Sequence, residues 1–280
     1  MKIKQLIIYY RVGEWFYFLS FIILGYLIGL RSQDSEINIV SAIGIIVMAA
    51  LYLAHGYALN DLCDGDFIKR GASTFKEGIY FSLVPVLLSI VIALLVASPI
   101  LLIILGIGII SSFLYSCYPF RLKRITIIEL ILNSLCFTVV YFFGLLINNS
   151  LIKTHEYAVG GAIFILMMLY QLAHEIEDME EDKLSGTINN TAISLGMKGT
   201  FWTVVCLCGF FIIYLLYIIG LNIIGFACFL ITTIFCICFI RTLYIFIKEH
   251  NFPLKKRLRS IGAGYGLIMF ILAFVYFHAK

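Results

Sequence analysis

Two short acidic stretches hold the side chains of this chain best suited to chemistry. They read Asn60-Asp61-Leu62-Cys63-Asp64-Gly65-Asp66 and Glu175-Ile176-Glu177-Asp178-Met179-Glu180-Glu181-Asp182. Three of the chain's 16 acidic residues lie in the first and six in the second. Massed carboxylates repel one another unless a cation lies among them, and hard divalent ions take oxygen ligands. On a helix, Asp61 and Asp64 share a face, as do Glu175, Asp178 and Asp182, with Glu177 and Glu181 on a neighbouring stripe. The spacing predicts carboxylate faces that hold Mg²⁺. Magnesium keeps waters and binds substrate phosphates rather than sitting in an all-protein cage, so the implied ligand is a diphosphate. The plainer alternative is a pair of ordinary solvated loops; two such concentrations at helical spacing, each ending an apolar run, argue against it.

The elements that must position these acids are apolar. The 280 residues are 62% hydrophobic and 13% charged, with a mean hydropathy of +1.04, more apolar surface than a soluble domain carries. The runs are continuous rather than alternating, so spanning helices are expected. Nine are expected, near Trp15–Leu30, Ile39–Leu59, Ile79–Ala97, Ile100–Cys117, Ile127–Ile147, Ala158–Ala173, Phe201–Leu221, Ile223–Ile247 and Ile261–Phe277. The fold class is therefore all-α: a polytopic bundle of about nine transmembrane helices in a single domain spanning residues 1–280. The acid clusters follow the second and sixth spans, which suggests two similar halves and one extra helix. Lys and Arg fall 16 to 3 on alternate sides of these spans, with Arg241 inside one. The positive-inside bias predicts a cell-membrane protein with a cytoplasmic N-terminus, cytoplasmic acid clusters and the C-terminus outside.

The net charge of +4 is scattered over short loops and is no nucleic-acid signature. Most of the eight cysteines lie inside apolar runs. Cys206/Cys208 and Cys236/Cys238 are spaced to point apart on a helix, and read as small hydrophobes.

Further polar residues invite roles. Tyr115-Ser116-Cys117-Tyr118-Pro119-Phe120-Arg121-Leu122-Lys123-Arg124 puts three cations on the side of the acids. Lys123 or Arg121 would contact a diphosphate and help it leave; membrane anchoring is the alternative. His55 and His174 are candidate bases for an acceptor, although a packed, hydrogen-bonded histidine is the commoner outcome. Glu129 and Asn133, four apart, are candidates to face a cavity. Arg241 reads as snorkelling and Lys255-Lys256-Arg257-Leu258-Arg259 as a headgroup anchor.

These residues resemble the UbiA superfamily of intramembrane prenyltransferases over nearly the whole chain. The family's first motif, NDxxDxxxD, is met by Asn60, Asp61 and Asp64. Its second, DxxDxxxD followed by a basic residue and glycine, is met by Glu175, Asp178, Asp182, Lys183 and Gly186, with Glu for the first Asp. Thr191 and Leu195-Gly196 fit the sequence that follows. Tyr115-Ser116, Pro119 and Arg121-Leu122-Lys123 are similar to YSxPPxRLK, with Tyr118 for the first proline. The third acid of the first motif would fall at Ile68; Asp66 is the nearest substitute if the helix unwinds at Gly65. Lys69-Arg70 stands where an arginine-proline stretch is usual.

The resemblance implies a Mg²⁺-dependent transferase moving an isoprenyl group from a prenyl diphosphate to a hydrophobic acceptor, first an aromatic one of quinone type. It implies metal ligation by Asp61, Asp64, Glu175, Asp178 and Asp182. Asn60, Arg121, Lys123 and Lys183 would hold the diphosphate, with Asp66 and Tyr115 in reserve. The runner-up is a terpene cyclase of the same superfamily, needing no acceptor. From other classes come a membrane transporter and a non-catalytic prenyl-lipid binder.

Overall fold

The computed structural model describes residues 3–32, 38–96, 99–147, 154–185, 190–219, 223–249 and 254–278. The described residues form helices and connecting turns, with no strand among them. In order these are α1 (Ile3–Tyr9), α2 (Val12–Trp15), α3 (Leu19–Ser32), α4 (Ile39–Asp64), α5 (Phe75–Val96), α6 (Pro99–Ser116), α7 (Ile128–Leu145), α8 (Thr154–Ser185), α9 (Thr191–Ile219), α10 (Ile223–Lys248) and α11 (Leu254–His278). A 3₁₀ turn, Phe16–Phe18, joins α2 to α3, and another holds Leu122–Arg124.

Eight segments are long and apolar enough to cross a membrane: Val12–Leu30, Ile39–Asp64, Phe75–Leu95, Pro99–Ser116, Ile128–Leu145, Glu156–Glu180, Thr191–Ile218 and Phe226–Lys248. They match the first eight expected spans. The ninth coincides with α11, whose described apolar stretch, Ser260–Met269, is short of a crossing. The chain is a multi-pass helical membrane protein.

The chain folds as two compact units. One comprises Met1–Lys123 and Leu135–Glu156; the other comprises Arg124–Ser134 and Tyr157–Lys280. The first has a core of Ile22, Met48, Tyr52, Leu101, Val140 and Phe143. In it α3 and α7 touch backbone to backbone: a Cβ on Gly25 would collide with the Tyr141 carbonyl, and one on Gly144 with the Ile22 carbonyl. Small residues allow this close approach where lipid supplies no hydrophobic drive between helices. The second unit packs around Leu169, Leu172, Val204, Phe211, Phe239 and Leu243. Each unit carries one acid cluster.

Helix ends place those clusters. Asn38 caps α4, its side-chain oxygen accepting the Ser41 amide at 3.1 Å. At the far end Gly65 adopts a left-handed conformation (φ 81°) and its amide returns to the Asp61 and Leu62 carbonyls. The helix therefore stops on Asp64, and Asp66 leaves its face. The second cluster lies within α8, which runs on to Ser185.

Candidate active site

In the first unit, the last turns of α4 meet cations from three other segments. Asp61 is 2% exposed. Its Oδ1 accepts from Arg11 Nη1 at 3.3 Å, and its Oδ2 lies 3.3 Å from Arg70 Nε. Arg11 is anchored from behind: it donates to both Glu14 oxygens, at 2.9 and 2.5 Å, and lies 4.9 Å over the Tyr57 ring. Burial alone would lower the Arg11 pKa, but the Glu14 hydrogen bond and the Glu14 and Asp61 charges raise it. Arg11 therefore stays a fixed cation.

Asp64, one turn on, is held from the segment after α6. Arg121 Nη2 donates to Oδ1 at 2.6 Å and Lys123 Nζ to Oδ2 at 2.5 Å. Lys123 Nζ also donates to Asn60 Oδ1 at 2.9 Å and lies 6.0 Å from the Tyr115 ring. The same Asn60 oxygen accepts from the Ser116 hydroxyl at 3.4 Å. Lys123 is 6% exposed. A buried ammonium needs such oxygens, because an isolated one is strongly disfavoured. At Arg121, burial would lower the pKa, but its hydrogen bond to Tyr118 and the Asp64 charge raise it. Asn60, Asp61, Asp64, Tyr115, Arg121 and Lys123, all marked by the sequence, thus lie together. Asp66 does not join them: its carboxylate pairs with Lys69 at 2.7 Å, and Ile68 is exposed.

Nothing in the sequence marks Arg11 as part of this cluster, because a basic residue near an N-terminus reads as an anchor. The same holds for the Cys63–Cys117 disulfide, with its Cα atoms 5.5 Å apart. These two residues are 54 apart in sequence, so no spacing rule pairs them. Both sit at helix ends beside the candidate site residues.

In the second unit the acids meet neutral donors. The Glu129 and Glu175 carboxyls are within hydrogen-bonding reach of each other. Gln171 Nε2 donates to Glu129 Oε1 at 2.8 Å, and the Thr191 amide to Oε2 at 3.3 Å. The Ala192 amide donates to Glu175 Oε2 at 2.9 Å. Asn133 Nδ2 donates to Gln171 Oε1, extending the network along α7. Both carboxyls thus cap the first turn of α9, whose amide ends attract negative charge. Gln171 was not singled out by the sequence, although it stands one turn before Glu175 in an otherwise apolar run.

Asp178 faces outward from α8, with Oδ2 2.9 Å from His174 Nδ1; the two side chains are 32% and 48% exposed. Lys183 lies 3.8 Å from Glu180. Asp182 is helical in backbone, but its side chain lies outside the described residues, as does Gly186. His55 is a packed histidine, 3% exposed, with Nδ1 donating to the Ser82 carbonyl at 2.8 Å.

Among the described residues, no group of three or more His, Cys, Asp and Glu side chains is arranged to hold a metal ion. The donor chemistry nevertheless fits Mg²⁺, which needs one or two carboxylates and completes its shell with water and phosphate oxygens. Asp64, in the last turn of α4, and Asp178, within α8, are partly exposed carboxylates, and Asp61 Oδ2 is buried beside the Arg70 charge without a hydrogen bond.

Solved structures share this fold. A UbiA homologue from Archaeoglobus fulgidus bound to GPP and Mg²⁺ superposes with a TM-score of 0.76 at 17% identity, over 97% of this chain and 98% of that one. A UbiA homologue from Aeropyrum pernix K1 gives 0.68 at 16% identity, over 97% and 99%. A digeranylgeranylglyceryl phosphate synthase gives 0.66 at 22% identity, over 98% and 96%. No curated protein matches the sequence. The UbiA prenyltransferase family model matches residues 18–274, nearly the full length, and the chain belongs to that family.

Proposed function

We propose that the chain transfers an isoprenyl group from a prenyl diphosphate to an acceptor within the membrane, using Mg²⁺. The observation that carries this reading is the cation–carboxylate set at the end of α4. A buried lysine sits on Asp64 and Asn60, an arginine sits on Asp64, and two more arginines sit on Asp61. Such a set is suited to receive an anion that brings its own metal. Asp64 and Asp178, the carboxylates with partly exposed side chains, are the first metal ligands proposed; Asp61 and Asp182 support them. Glu175, engaged with the Ala192 amide, serves first to hold α8 to α9.

When bound, Mg²⁺ supplies positive charge to the diphosphate oxygens and stabilises them as they leave. Lys123 Nζ and Arg121 Nη2 shift from Asp64 to the diphosphate, and Asn60 Oδ1 keeps Lys123 aimed. These donors then face the charge that develops as the allylic C–O bond breaks. Apolar and aromatic walls keep water from the allylic cation, and aromatic faces stabilise it. An acceptor nucleophile then takes the cation and loses a proton.

The first acceptor class is aromatic, as in quinone precursors. The fold is shared with a digeranylgeranylglyceryl phosphate synthase, and an alcohol acceptor is the second reading. Orientation is proposed from the basic-residue bias: acid clusters cytoplasmic, C-terminus outside. Incubation with Mg²⁺ and a prenyl diphosphate, with and without acceptor, tests the reaction. Diphosphate release that needs an acceptor supports the transferase; a cyclic hydrocarbon formed without one supports a cyclase. No metal-dependent release under either condition removes the enzymatic reading.

A further inference from the structure

The Cys63–Cys117 pair has no part in the mechanism above, yet it joins the two segments that carry the diphosphate-binding side chains. Cys63 lies on α4 between Asn60 and Asp64. Cys117 follows Ser116, whose hydroxyl bonds Asn60, and its carbonyl accepts the Arg121 amide at 2.7 Å. The crosslink therefore runs from the metal-ligating turn straight to the turn that bears Arg121 and Lys123. Their Cα separation of 5.5 Å lies in the usual range for a disulfide.

The side-chain bonds from the Arg121–Lys123 turn to α4 are polar: Arg121 and Lys123 to Asp64, and Lys123 to Asn60. The proposed reaction would break them, because Asp64 would turn to the metal and the two cations to the diphosphate. A covalent tie survives the exchange and keeps the two backbones in place.

We propose that Cys63–Cys117 is a thiol–disulfide exchange site, opened by a dithiol reductant, whose closed form positions Arg121 and Lys123 for the donor diphosphate. This rests on the reaction proposed above. Cys63 is partly exposed and Cys117 is 7% exposed, so the reductant's thiolate attacks the Cys63 sulfur. The Cys117 thiolate leaves and takes a proton. The reductant's second thiol then displaces Cys63 as a thiol, so two protein thiols and one oxidised dithiol are formed. Oxidised dithiol reverses the exchange.

The test uses the full chain in detergent, purified without reductant. Maleimide labelling with and without dithiothreitol reports the pair. Binding of geranyl diphosphate with Mg²⁺ reports its effect. Reduction should expose two more thiols and raise the donor Kd roughly three- to tenfold, the scale expected when side chains lose preorganisation. In turnover, donor KM should rise while kcat at saturating donor stays nearly constant. Oxidised dithiol should restore the original value. A Cys63→Ser/Cys117→Ser variant should show the reduced value and ignore dithiothreitol; if it does not fold, reduction of the native protein still decides the matter. Equal donor affinity in both redox states, or two thiols that never pair, overturns the inference alone. Absence of donor binding in either state overturns the proposed reaction and this inference with it.

Discussion

The two acid clusters are neutralised in different ways. At the end of α4 each aspartate meets fixed cations: Arg11 and Arg70 at Asp61, Arg121 and Lys123 at Asp64. In the second unit Glu129 on α7 meets Gln171 and the Thr191 amide, and on α8 Glu175 meets the Ala192 amide, Asp178 an exposed histidine and Glu180 an exposed lysine. The first arrangement stores positive charge ready for an anion. The second packs six acids into eight residues, a density of negative charge that a cation would relieve. Under the proposed reaction each cluster would offer one metal ligand, Asp64 and Asp178, and the first would add the cations that receive the diphosphate.

The comparison can be broken in several ways. The largest expected effect is on chemistry. Asp178→Ala should lower Mg²⁺-dependent turnover by ~10²–10³-fold, the scale of losing a group that stabilises developing charge. Lys123→Met should do the same through the diphosphate rather than the metal, so raising Mg²⁺ should rescue Asp178→Ala in part and leave Lys123→Met unchanged. Equal rescue of both would erase the division of labour.

Next comes stability. Asp61→Ala strands two arginines around a buried position and should lower unfolding free energy by about 3 kcal/mol, the low end for a broken buried pair because both arginines reach the surface. Thermal unfolding in detergent measures it. Glu175→Ala removes one neutral-donor contact and should cost about 1–2 kcal/mol, with Glu175→Gln recovering most of that. A larger loss at Glu175 than at Asp61 would invert the comparison. Smallest of all, His174→Ala should change stability by less than ~0.5 kcal/mol, since the pair is exposed.

Much of this was legible in the sequence, for physical reasons. A span is a run of about 20 apolar residues, so eight of nine expected spans coincide with crossing-length helices. Asn60, Asp61, Asp64, Arg121 and Lys123 were marked by residue type and motif. What periodicity does not reveal is which acid pairs with which cation. Arg11 and Asp61 are 50 residues apart, and only the packing of α1 and α2 beside α4 joins them. Gly65 hinted that α4 stops early, but the pairing of Asp66 with Lys69 depends on the turn it starts. One amide in an apolar run, Gln171, looks incidental until Glu129, 42 residues away, accepts from it.

The most direct test is calorimetric binding of geranyl diphosphate to the purified protein as Mg²⁺ is added and then chelated. Tight binding should appear only with the metal and be lost in both Asp64→Ala and Asp178→Ala. Binding that persists after chelation, or that neither substitution weakens, would contradict a carboxylate-held, metal-bridged diphosphate.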